Sequence, residues 1–98
     1  MANTPEFGLQ QAQRLRLELI RTDLGLCSTF IDTFEIRVQL GELEAAKRVL
    51  EKAEKAHRTV SQMAQEEPDS ANRTELFQNL NSLQERLEAA RNRLSSAG

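Results

Sequence analysis

In the first part of the chain, apolar residues recur at alternating spacings of three and four: Leu17, Ile20, Leu24, Cys27, Ile31, Phe34 and Val38. That period lays them along one stripe of an α-helix. Leu19, Leu26 and Phe30 form a second stripe beside it, so this helix is expected to be wide-faced and to touch both other helices. Thr4-Pro5-Glu6 suits its start, with a hydroxyl cap, a proline in the first turn and an early acid. Gly25, just after Thr22-Asp23, marks a potential kink or restart, because a helical glycine costs roughly 1 kcal/mol against alanine. Leu40-Gly41-Glu42 ends the element, with Gly41 as the left-handed residue that closes it.

The next seam reads Leu43, Ala46, Leu50, Ala53, His57, Val60 and Ala64, flanked by Val49, Ala56 and Met63. Its alanines let a neighbouring helix approach closely. On the opposite face Glu44 precedes Arg48, Glu51 precedes Lys55 and Glu54 precedes Arg58, each by four residues. Such pairs add a few tenths of a kcal/mol to an exposed helix. Glu66-Glu67-Pro68-Asp69-Ser70 is the one clear linker. Asn72 and Glu75 have capping-box spacing, and Asp69 or Ser70 are alternative caps. A third helix then carries Leu76, Leu80, Leu83, Leu87, Ala90 and Leu94, with Phe77 beside them. This narrow, coiled-coil-like seam packs within the bundle or pairs with another chain.

The pattern predicts an all-α fold, an antiparallel three-helix bundle occupying residues 1–98 as a single domain. Its helices span roughly 5–40, 42–66 and 71–95, with 1–4 and 96–98 expected to be flexible. Composition agrees: 39% of residues are hydrophobic and only 4% aromatic, so aliphatic packing dominates a modest core. Charged residues make up 29%, and the net charge of −2 leaves no long-range field for nucleic acid or acidic lipid. A single cysteine excludes an intramolecular disulfide. Cys27 reads as a small buried thiol in a reducing, cytoplasmic setting. The first eight residues have neither the basic nor the apolar region of a secretory signal, and no apolar run approaches a membrane span.

One segment carries a resemblance. Gly41 is followed by Ala46 five residues on, Leu50 four beyond and Ala53 three beyond that. This spacing resembles the second half of a tetratricopeptide repeat. The resemblance covers the hairpin at about residues 27–58, and it implies a tetratricopeptide-like pairing of the first two helices with peptide or protein binding as its work. The chain departs from that family at Phe34, where a small residue is usual, at Arg37, where an aromatic is usual, and at Arg58, where a proline closes the unit. There is no second copy, whereas stacked repeats need about three for stability.

The chemistry-bearing residues are few. His57, the only histidine, follows Glu54 by three residues, the Glu-x-x-His spacing of carboxylate-bridged metal bundles. A ferritin-like half-bundle would also need an opposing carboxylate, and the facing stretch Gly25-Leu26-Cys27-Ser28 has none, the nearest acids being Asp23 and Asp32. Cys27 and His57 are potential neighbours across the hairpin, a nucleophile–base combination, yet both lie on apolar seams without an oxyanion hole. Glycine-rich phosphate loops and spaced cysteines are missing. Lys47, Arg48, Lys52, Lys55 and Arg58 alternate with acids, which argues against nucleic acid. The expectation is a non-enzymatic helical protein–protein interaction module without cofactor, metal or small-molecule substrate, binding a protein partner or itself. Phe30, Leu83 and Leu87 are its candidate contact residues. The alternatives are a small self-associating structural protein and, more distantly, a metal-binding half-bundle using Glu54 and His57.

Overall fold

The computed structural model describes residues 5–97, with side chains from residue 8 onward. Three helices follow one another: α1 (Pro5–Gln39), α2 (Leu43–Gln65) and α3 (Ser70–Ala97). They form an all-α three-helix bundle, 62 × 21 × 15 Å in extent. The core is assembled from the seams that the spacing marks out. Ile20, Cys27, Ile31 and Phe34 come from α1, Ala46, Leu50, Ala53 and Val60 from α2, and Leu76, Leu80, Leu83 and Leu87 from α3. No helix among the described residues is long and apolar enough to cross a membrane.

The α1–α2 turn is closed by backbone geometry. Gly41 adopts φ 77°, its N–H donates to the Val38 carbonyl at 3.0 Å, and the Glu42 N–H donates to Arg37 at 2.9 Å. This is a Schellman closure, which satisfies carbonyls that the helix end leaves free. Where such a closure usually adds a hydrophobic contact, Arg37 pairs with Glu42 at 2.7 Å. The second connection is organised by Asp69, whose Oδ1 accepts the Asn72 N–H at 2.9 Å. Asp69 is therefore the cap of α3. Beside it Glu67 is buried, and its carbonyl accepts a bond from Arg73 at 2.9 Å.

Several sequence expectations change. α1 runs unbroken through Gly25, and α3 continues through Ser95 and Ser96 to Ala97 instead of ending near residue 95. The Thr4 cap and residues 1–4 and 98 lie outside the described residues. Among the described residues, none of the pairs Glu44–Arg48, Glu51–Lys55 and Glu54–Arg58 is made on α2. Glu54 reaches Arg91 of α3 instead, because a partly shielded pair between two helices gains more than a fully hydrated one. α1 meets its neighbours through the inner stripe, with Phe30 of the second stripe half-buried against the core. The other two members of that stripe stay in water: Leu19 is 53% exposed and Leu26 47%.

A Cβ at position 41 would meet open space, so strain at positive φ is the only penalty there. Gly41→Ala is expected to lower stability by about 1–2 kcal/mol, a fall in Tm of several degrees for a domain of this size, readable in a thermal melt followed by circular dichroism.

Candidate functional site

Among the described residues, five of the six large apolar side chains that remain exposed lie along one face of α1 and its continuation into the turn: Leu15, Leu19, Leu26, Ile36 and, just past the helix end, Leu40. Their spacing explains why. Starting at Gly8, positions 12, 15, 19, 22, 26, 29, 33, 36 and 40 follow one another by alternating steps of four and three. That is a heptad seam, and it holds no charged residue. It lies on the far side of α1 from the core seam of Ile20, Cys27, Ile31 and Phe34, about 130° round the helix at 100° per residue. The sixth residue, Leu9, belongs to the inner face. It is exposed because α2 stops alongside Arg16, which pairs with Glu66, and every described side chain from Gly8 to Leu15 is open to solvent.

Three threonines sit in this seam, and each hydroxyl is tied to the helix itself. Thr22 donates to the Glu18 carbonyl at 3.0 Å, Thr29 to Gly25 at 3.0 Å and Thr33 to Thr29 at 2.9 Å. With the hydroxyl turned back onto the carbonyl four residues earlier, each threonine has its polar atom satisfied and behaves as a small, largely apolar element of the surface. The seam on the outer face of α1 therefore carries no charge, and each of its threonine hydroxyls is bonded within the helix.

The sequence candidates fall elsewhere. Leu83 and Leu87 are core residues, 7% and 4% exposed, packed into the groove between α1 and α2. As a correction, they are not open to a partner in this fold, and the leucine seam of α3 is used within the chain. Phe30 is half-buried against the core and floors a shallow groove of about 310 Å³ with Ala56, rimmed by Asp23, Lys52 and Lys55. The residues that sequence reasoning missed are Leu15, Ile36 and Leu40. The signal that finds them is the alternating four-and-three step carried through threonine, which a hydrophobic count skips.

The Glu54–His57 motif is engaged in holding helices together. Glu54 receives a forked pair of bonds from Arg91, and His57 Nε2 donates to the Leu80 carbonyl of α3 at 2.9 Å. A cleft of about 360 Å³ lies over them, lined also by Arg58, Gln84, Glu88 and Asn92. No group of three or more His, Cys, Asp or Glu side chains suited to a metal ion occurs among the described residues. Cys27 is fully buried and donates to the Ala53 carbonyl at 3.4 Å. Burial pushes its thiol pKa up, and the nearby Arg86 offsets this only in part. The thiol is thus held protonated and away from solvent, the opposite of a nucleophile's setting. Arg86 bridges α3 to α1, bonding Ser28 at 3.0 Å and Asp32 at 2.7 Å.

No family model, no curated protein and no solved structure matches the chain.

Two outcomes follow from these environments. Leu87→Ala opens a cavity in the core and is expected to cost about 2–5 kcal/mol, whereas Leu19→Ala on the outer face should change the stability of dilute protein by no more than about 0.5 kcal/mol, as read by urea unfolding. Cys27 should resist iodoacetamide in native protein at pH 8 and react fully in urea. Because the folded thiol keeps its proton where the unfolded chain loses it, stability should fall as pH rises through the ordinary thiol range, about 8.5 and above.

Proposed function

We propose that this protein is a non-enzymatic helical interaction module whose docking surface is the outer face of α1. The observation that carries this reading is the continuous apolar seam from Leu15 to Leu40, left uncovered by the bundle although the chain buries its other apolar stripes. Monomeric proteins seldom leave a long apolar patch in water unless it serves an interface. A helix is the natural occupant, since a four-and-three seam accepts the side chains of another helix as knobs into holes. Protein binding is also the usual work of the tetratricopeptide family whose residue spacing the segment at about 27–58 resembles, although in the present reading the surface is the outer face of α1 and not the hairpin groove. The buried, protonated thiol and the tethered histidine fit a structural role for Cys27 and His57, consistent with a reducing cytoplasmic setting.

Photocrosslinking in the native host tests this directly. Benzoylphenylalanine placed at Leu26 should yield one discrete protein adduct, while the same probe at the exposed Gln62 of α2 should yield none. No adduct at Leu26 beyond that control would overturn the reading.

A further inference from the structure

We infer that the outer face of α1 pairs with a second copy of this chain, the two α1 helices running antiparallel about a centre near residue 24. The inference rests on the docking reading above and names the occupant. In that register each large aliphatic of the seam faces a small residue. Gly8 lies opposite the partner's Leu40, Ala12 opposite the partner's Ile36, and Leu15 opposite the partner's Thr33. Leu19 lies opposite the partner's Thr29, and Thr22 opposite the partner's Leu26. All ten seam positions are matched in this way, large against small, which is how facing layers interdigitate at native density. A parallel, in-register pair would instead stack leucine on leucine and threonine on threonine, leaving gaps at the threonine layers.

Self-complementarity of this kind is what a two-fold interface demands, because one patch serves both sides. A foreign partner places no such requirement on the seam. The area is also sufficient. The seam is about 50 Å long and roughly one helix diameter, ~10 Å, wide. Two copies therefore bury on the order of 1,000 Å², the size at which a specific interface becomes credible.

Gly25 gains a reason in the same arrangement. It lies mid-helix and exposed, and beyond its own helical turn no described residue comes within 4 Å of where its Cβ would be. Beside the two-fold axis it would face the partner's Gly25, where a missing side chain lets the two backbones approach. The flanks tolerate the pairing. Glu18 falls opposite the partner's Asp32, a carboxylate that Arg86 already pairs within each chain at 2.7 Å. Asp23, near the axis, shares its groove with Lys52 and Lys55.

The test is light scattering of the full chain from about 1 to 200 μM, with Leu26→Glu alongside. The wild type should be a dimer at the upper end, and Leu26→Glu, which places two carboxylates in the central layers, should weaken association at least 100-fold while keeping its helical circular dichroism. Orientation is read in a Cys27→Ala background with a short bis-maleimide. Gly25→Cys should join two chains efficiently. Leu40→Cys should not, since antiparallel pairing sets those positions about 50 Å apart at a rise of 1.5 Å per residue. A wild type that stays monomeric throughout, a dimer indifferent to Leu26→Glu, or efficient joining through Leu40→Cys would each overturn the inference. A monomer that still yields a foreign adduct at Leu26 would leave the docking reading standing and remove self-pairing alone.

Discussion

Everything else in this molecule depends on where the leucines of α3 go. Leu76, Leu80, Leu83 and Leu87 join the seams of α1 and α2 in one core and complete the burial of the inner face of α1 that α2 begins. Burying a leucine side chain is worth about 1.5–3 kcal/mol, so this seam outweighs any surface ion pair in the bundle. The polar contacts then act as locators. Arg86 reaches α1, Arg91 reaches α2, and His57 binds a carbonyl of α3. These bonds lie at the margins of the apolar seam and fix how far α3 slides along it. Their geometry engages both Glu54 and His57, the pair whose spacing resembles a metal ligand set.

The same allocation explains the spare face. A three-helix bundle covers each helix over a limited arc, and α1 is the longest of the three. Its inner stripe meets α2 and α3, while Leu15, Leu19, Leu26, Ile36 and Leu40 of its outer stripe stay exposed among the described residues. A long apolar stripe left in water lowers solubility, and this is the physical ground of the proposed docking role.

Most of the fold is legible in the spacing of apolar residues. The inner seam of α1, the alanine-rich seam of α2 and the leucines of α3 all follow from a period of 3.6, and Gly41 announces its turn. The features that spacing leaves open share a physical cause. Leu19 and Leu26 stand out as a second stripe, but a helical wheel does not say whether two stripes on one helix meet two neighbours or one neighbour and water. Nothing local distinguishes these cases, since both use the same residue types. Leu83 and Leu87 suggest an interface for the mirror reason: a coiled-coil seam looks alike whether its partner lies in the same chain or another. The threonine contribution is illegible in sequence because it depends on a rotamer, the hydroxyl folded back onto its own helix. The Asp69 cap is a choice among three local candidates that spacing leaves open, and the absent pairs on α2 turn on tertiary geometry, Glu54 being drawn to Arg91 of α3.

The turn at Gly41 carries a consequence for the order in which the molecule assembles. Only Leu40 to Glu42 separate α1 from α2, so these two helices meet at almost no cost in loop closure. The α1–α2 hairpin is then the first tertiary unit available to a growing or refolding chain, and α3 arrives afterwards as a closing wedge. During that interval the inner stripe of α1 is covered by α2 alone, and its side facing α3 stays open to water. The speed with which α3 docks therefore sets how long a half-built bundle keeps part of its core exposed.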